Sequence, residues 1–225
     1  METYKQEFIE FMVGAGVLTF GDFITKSGRK TPYFVNTGNY RTGSQISALG
    51  DYYAAAIQAS GESFDLLFGP AYKGIPLAVS AASSLYRNYQ IDVPFCFNRK
   101  EEKDHGEGGS LVGHKPVSGD RIAIIEDVVT AGTAVRETVR LFSTIPGTTL
   151  SCLFVSVDRM ERGTGTKTTI DELRESLNLP VYPIVTVREV IEHLHGREVD
   201  GRVVICDEMR DKMEAYLQTY GASCS

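Results

Sequence analysis

Four short apolar runs divide the middle of the chain: DLLFG from Asp65, VPFCF from Val93, RIAII from Arg121 and LSCLFVSV from Leu150. Helical spacing fills most of the intervals between them. It predicts a helix from Lys73 to about Tyr89, another over 131–145, a short one over 169–177, and two more after a further strand, VYPIVTV. Continuous apolar runs, as opposed to alternating ones, are what strands covered on both faces require. Strands of this kind separated by helices predict an α/β fold, a doubly wound, mostly parallel sheet flanked by helices.

Before this regular part, Phe8, Ile9, Phe11 and Met12 recur at helical spacing, and the helix they predict ends near Gly14 or Gly16. Phe20 to Val35 mixes β-formers around the break SGRKTP, which predicts two short strands joined by a polar turn, and 43–59 reads as a helix. The first 40 residues are expected to form a small hood on a core of about 41–225. No repeat or Pro/Ser-rich linker offers a place to cut the chain, so one domain over 1–225 is expected.

Composition narrows the function classes. Of 225 residues, 42% are hydrophobic and 23% charged, which is ordinary for a folded domain, and the net charge of -6 argues against a broad nucleic-acid surface. Any anion must be held locally. Cys96, Cys152, Cys206 and Cys224 are scattered without a CxxC pair, and reduced thiols are expected. The N-terminus METYKQEFIEFMVGAG has neither the run of a signal peptide nor that of a membrane span, so the reading is cytoplasmic, with no membrane and no nucleic-acid partner.

In doubly wound sheets ligands bind beyond the carboxyl ends of the strands, which directs attention to GPAYKG, NRKEEKDHG, EDVVTAGTA and DRMERG. In RIAIIEDVVTAGTAV a buried strand delivers two adjacent acids, Glu126 and Asp127, and then turns through small residues into a helix. Backbone N–H groups and hydroxyls of Thr130 to Thr133 at that helix start can cradle a phosphate, while the acids accept hydrogen bonds from sugar hydroxyls. Capping of the following helix is the alternative use of the acids. GPAYKG has glycines that permit close approach to an anion, with Tyr72 and Lys73 as donors; an ordinary turn with a solvated lysine reads equally well from so short a string. The long polar loop from Asn98 to Lys115 carries Arg99, Lys100, Lys103 and His105 before a run of glycines. It reads as a cationic lid, with a solvated charge run as the alternative. His193 and His195, two apart near Gly196, are expected to be solvated, and no activated nucleophile stands out.

Taken in order, KSGRKTPYF, FGPAYKGIP, FNRKEEKDHGEGG, EDVVTAGTA and DRMERG closely resemble the orotate phosphoribosyltransferases of the bacterial and fungal kind, densely from Leu18 to about Gly163. The resemblance implies the type I phosphoribosyltransferase fold and transfer of phosphoribose from 5-phospho-α-D-ribose 1-diphosphate (PRPP) to orotate. It also implies a Mg²⁺ cofactor carried mostly by donor oxygens and water, with no protein metal cluster, and a homodimer whose lid closes on the neighbouring site. By the same resemblance Lys26, Phe34, Val35, Thr130 and Arg159 hold orotate. Tyr72, Lys73, Arg99, Lys100, Lys103 and His105 contact the diphosphate, and Glu126, Asp127, Val128, Val129, Thr130, Ala131, Gly132, Thr133 and Ala134 the ribose phosphate; Lys103, His105 and Asp127 are the expected catalytic residues. Relatives with such a lid commonly carry Asp where this chain has Glu126, and RGTGTKTTI after Glu161 matches nothing in the family. A transferase for another base and a non-catalytic sensor of the donor are the competing readings.

Overall fold

The structure is a computed structural model that describes residues 1–25, 28–100, 110–163 and 165–222. Its centre is a six-stranded sheet. β1 (Leu18–Ile24) and β2 (Lys30–Val35) form a separate antiparallel ribbon, and the sheet itself is built from β3 (Leu66–Gly69), β4 (Phe95–Asn98), β5 (Leu111–Gly113), β6 (Arg121–Glu126), β7 (Thr149–Asp158) and β8 (Val181–Thr186). The strand order is β5-β4-β3-β6-β7-β8, parallel throughout except for β5, which runs antiparallel beside β4 at the edge. The doubly wound, mostly parallel sheet expected from the apolar runs is therefore present.

The runs are continuous because the two faces of each strand bury against different layers. Ala123, Ile125, Cys152 and Phe154 face a cluster that includes α1 (Thr3–Gly14), α2 (Gly43–Ser60), α3 (Gly74–Tyr89) and α6 (Val187–Leu194). Their neighbours Ile122, Ile124, Leu153 and Val155 face α4 (Thr133–Ser143) and α5 (Thr169–Leu177). With side chains alternating at every residue, each position needs an apolar side chain.

Several boundaries differ from the sequence expectation for local reasons. β8 stops at Thr186 because that hydroxyl accepts the Glu189 N–H at 3.2 Å and the Glu189 carboxylate accepts the Thr186 N–H at 2.7 Å, a capping box that starts α6. The last part of the expected polar loop over 98–115 is strand, because Leu111 and Val112 supply a β edge for β4. A hairpin, β9 (Glu198–Val199) and β10 (Arg202–Val203), precedes the last helix; its turn puts Asp200 and Gly201 at φ 51° and 75°, the Asp-Gly signal of a two-residue hairpin. His193 is not solvated as expected: its ring is buried and bonds Glu10 at 2.9 Å, joining α6 to α1, while His195 meets Asp207 at 2.8 Å.

The first helix is built into the core through Phe8, Ile9, Met12 and Val13. The β1–β2 ribbon stands beside the carboxyl end of the sheet and is backed by α7 (Asp207–Tyr220), with the Tyr33 and Tyr216 rings edge to face at 5.9 Å. The N-terminal ribbon thus packs on the C-terminal helix.

α2 and α3 approach each other closely: a Cβ on Gly50 would lie 2.6 Å from the Ser80 carbonyl oxygen. Backbone cannot yield as a flexible side chain does, so Gly50→Ala is expected to cost ~1–3 kcal/mol through forced helix separation. Thermal unfolding checks this, and an unchanged midpoint would mean that the two helices are not held this closely.

Candidate functional site at the carboxyl end of the sheet

The sheet changes direction between β3 and β6: the chain leaves β3 for β4 on one side and returns to β6 on the other. The crevice outside such a point is where open α/β sheets take their ligands. Lys73, just after β3, and Asp127, just after β6, meet there, with Nζ to Oδ2 at 2.8 Å. Thr37, in the one-turn 3-10 helix after the ribbon, donates its hydroxyl to the same oxygen at 2.6 Å and receives the Lys73 ammonium at 3.0 Å. Behind them the Asp127 carbonyl accepts both the N–H of Ser156 at 2.8 Å and its hydroxyl at 2.5 Å. Three separate stretches of chain are therefore pinned at one carboxylate.

The two adjacent acids have different surroundings. Burial drives the Glu126 carboxyl well above the usual carboxylate range, to about 8, although the Asp127 N–H bonds its Oε1 at 3.0 Å. Burial acts on Asp127 in the same direction but is outweighed by the Lys73 ammonium and the Thr37 hydroxyl, which hold it below its ordinary value. One member of the pair is thus biased toward the proton, the other toward the charge. The Glu126 backbone is fixed from the far side by the buried Tyr53 hydroxyl, which donates to its carbonyl at 2.7 Å.

After the acids the chain turns through Gly132, at φ 71°, into α4, and among the described residues no side chain caps that helix. Capping therefore does not account for Glu126 and Asp127. The first N–H groups of α4 face a hollow of about 240 Å³ lined by Glu126, Val128, Val129, Thr130, Thr133 and Ala134, a suitable place for an anion. The segment after Arg162 backs this loop. The Thr169 hydroxyl donates to the Thr130 carbonyl at 2.8 Å, and a Cβ on Gly132 would touch the Leu173 side chain at 3.2 Å. The β3 turn is as constrained: a Cβ on Gly69 would fall 2.1 Å from the Gly74 carbonyl oxygen, and the Asn98 side chain receives the Ala71 N–H at 2.8 Å.

Beyond the β7 end lies a larger cavity, about 490 Å³, lined among others by Arg29, Val129, Thr130, Ala131, Arg159 and Glu161. Arg159 is mostly buried, and its Nε and Nη2 donate to Glu161 Oε1 at 3.0 and 2.6 Å. Burial opposes its charge, but Tyr33 and Glu161 beside it leave the guanidinium more basic than usual. Among the described residues no group of three or more His, Cys, Asp or Glu side chains could hold a metal ion.

Residues 36–178 match the phosphoribosyl transferase domain family. The chain is 54% identical to the orotate phosphoribosyltransferase of Lachnoclostridium phytofermentans over 98% of this chain and 99% of that one. It is 53% identical to that of Clostridium acetobutylicum, with the same coverage. The crystal structure of the Francisella tularensis orotate phosphoribosyltransferase superposes with a TM-score of 0.84 at 36% identity, covering 96% of this chain and 100% of that one. This chain belongs to the orotate phosphoribosyltransferase family.

Against the residues expected from that family's motifs, the structure brings Lys73 to Asp127, gathers Glu126, Val128, Val129, Thr130, Gly132, Thr133 and Ala134 around the α4 N-terminus, and places Val129, Thr130, Ala131 and Arg159 on one cavity. Arg99 lines a small hollow with Pro70, Ala71 and Ala134. Phe34 stands on the ribbon with its ring 5.8 Å from Phe23, and neither it nor Val35 lines the cavity at Arg159. Tyr72 and Lys100 are exposed. Lys26, Lys103 and His105 lie outside the described residues. Thr37, Ser156, Tyr53 and Thr169 were not singled out by the orotate phosphoribosyltransferase motifs, because each acts through a contact between segments distant in sequence.

Glu126 gives a pH test. Its carboxyl keeps the proton in the folded chain to a higher pH than in the unfolded one, so unfolding releases a proton between the ordinary glutamate range and about 8. Stability therefore falls as pH rises through that window and levels off above it. Glu126→Gln removes this slope, so urea midpoints from pH ~5 to ~9 should show its stability relative to wild type growing with pH. Parallel pH profiles would mean that Glu126 is ionised in the free protein.

Proposed function

We propose that this chain transfers the 5-phosphoribosyl group of PRPP to N1 of orotate, giving orotidine 5'-phosphate and pyrophosphate in pyrimidine biosynthesis. The observation that carries the reading is the meeting of Lys73 and Asp127 at the switch point, between an anion hollow at α4 and a cavity holding a buried guanidinium. Each part suits one part of the reactants. The free N–H groups of Thr133 to Val135 and the loop from Val128 to Ala134 take the 5-phosphate. Glu126 and Asp127 take the ribose hydroxyls, Lys73 with Tyr72, Arg99 and Lys100 takes the diphosphate, and the expected lid residues Lys103 and His105 take the charge that builds on it as it leaves. Arg159, planar and charged, suits the carboxylate of orotate, with Thr130 on the base edge and Lys26, Phe34 and Val35 as the hood over it.

The departing diphosphate leaves an oxocarbenium-like ribose, so orientation and charge stabilisation carry the rate and no covalent nucleophile is needed. Donor binding asks Lys73 to exchange Asp127 for the diphosphate, which frees the carboxylate for the sugar. Once Lys73 has left it, the Asp127 carboxylate with the Thr37 hydroxyl offers oxygen ligands that would suit a hard cation such as Mg²⁺ brought in on the donor. Bound there, it would neutralise the diphosphate and help it leave.

We place the chain in the cytoplasm as a homodimer. The thiols of Cys96 and Cys152 are unpaired and buried, and burial pushes both up to about 12, as suits a reducing compartment. No helix among the described residues is long and apolar enough to cross a membrane. Tyr72, Val79 and Tyr86, spaced by seven residues, are all exposed along one side of α3 and its entry, a seam of the kind that pairs helices.

Loss of orotate absorbance with PRPP and Mg²⁺ tests the reading. Wild type should turn over orotate and not purine bases, and Lys103→Ala and Asp127→Asn should each lose ~10²-fold or more in kcat. Mixing the two variants should restore part of the activity if a lid from one subunit serves its neighbour's site. Absence of orotate turnover by the wild type would refute the proposed reaction, and no recovery on mixing would refute the shared site.

A further inference from the structure

Glu161 sits where three distant parts of the chain converge. Its Oε1 accepts the two bonds from Arg159 and further ones from the Tyr33 hydroxyl at 3.2 Å and the Tyr216 hydroxyl at 2.9 Å, while its Oε2 accepts Arg29 Nη1 at 3.2 Å. Arg29 and Tyr33 belong to the ribbon and its turn, Arg159 to the exit of β7, and Tyr216 to α7. The backbone joins the same parts: the Arg162 N–H donates to the Tyr220 carbonyl at 2.8 Å and the Ala222 N–H to the Met160 carbonyl at 3.2 Å. Between Arg159 and Glu161 the chain passes through Met160 at φ 54°, a left-handed conformation unusual for this residue. The Asp158 carboxylate holds that turn by accepting the Met160 N–H at 2.7 Å.

We infer that Glu161 is a positioning residue for base recognition, and that through it the C-terminal helix is part of the base site. This rests on the proposed role of Arg159 toward the orotate carboxylate. A guanidinium on a four-bond stem, in a cavity this size, has several rotamers open to it. Capture of its Nε–Nη2 edge by Glu161 selects one and so presents a fixed donor geometry to the incoming base. Arg29, the second cation on Glu161, and its face-on contact with the Tyr220 ring at 4.6 Å couple that geometry to the ribbon and to α7.

The test is steady-state kinetics of Glu161→Gln, Glu161→Asp and Tyr216→Phe, with KM measured separately for orotate and for PRPP and with uracil as a carboxylate-free comparison. Glu161→Gln should raise KM for orotate about tenfold or more with KM for PRPP nearly unchanged, and should narrow the preference for orotate over uracil. Tyr216→Phe should shift KM for orotate the same way by less, and Glu161→Asp should recover part of the loss. The inference is overturned if both KM values rise together with a fall in unfolding temperature, which marks a structural role, or if KM for orotate stays the same or improves, which makes Glu161 a bystander or a competitor. Wild type measured alongside keeps this distinct from failure of the proposed reaction, which would show as no orotate turnover at all.

Discussion

Lys73 and Asp127 meet in the crevice at the switch point of the sheet, and most of the site is arranged around their contact. Their elements are adjacent strands that diverge at the switch point, so the pair is fixed by topology and not by nearness in sequence. Thr37 adds the 3-10 turn that follows the ribbon to the Asp127 carboxylate, and Ser156 adds β7 from behind through the Asp127 carbonyl. A carboxylate with donors of this kind stays charged when partly buried, while the Lys73 side chain beside it remains 62% exposed. Under the proposed reaction the pair holds the two charges that would meet the donor's sugar hydroxyls and its diphosphate, in a form that cancels in the free protein.

Around that contact the structure separates functions by environment. Glu126, one residue away, is pushed toward its neutral form by burial, so the free site avoids two adjacent negative charges. Among the described residues the α4 N-terminus has no side-chain cap. On the opposite side Arg159 is kept from solvent by Glu161 and the ribbon. The sheet supplies rigid strand ends, and the ribbon and α7 supply the wall that sequence distance would never suggest.

The apolar runs made the sheet and its layers legible, because strands buried on both faces leave no other pattern. EDVVTAGTA was legible as a strand end turning into a helix for a similar reason: a small residue permits the Gly132 turn, and a strand end brings the acids to it. Contacts between segments were not. Nothing in the sequence places Thr37 on Asp127 or Tyr216 on Glu161, since each pair is joined only by folding. The stretch after Arg162 looked unassignable because its work is done by the Thr169 hydroxyl and the packing of Leu173 on the Thr130–Gly132 turn. His193 misled for a related reason, as its partner Glu10 lies at the other end of the chain. The Asp200-Gly201 turn, by contrast, was a readable hairpin signal that the helical reading of the C-terminal region passed over.

The central claim is that Lys73 and Asp127 neutralise one another in the free protein and part when the donor binds. A double-mutant cycle on PRPP affinity, with Lys73→Ala, Asp127→Asn and both together, measures it by calorimetric titration in the presence of Mg²⁺. Each single variant loses its own donor contact but is spared the cost of parting the pair, whereas the double variant loses both contacts with one such saving. The account predicts that the double variant loses more affinity than the two single losses added, by ~1 kcal/mol or more. Losses that add to within ~0.5 kcal/mol would contradict it, showing that donor binding does not part the pair.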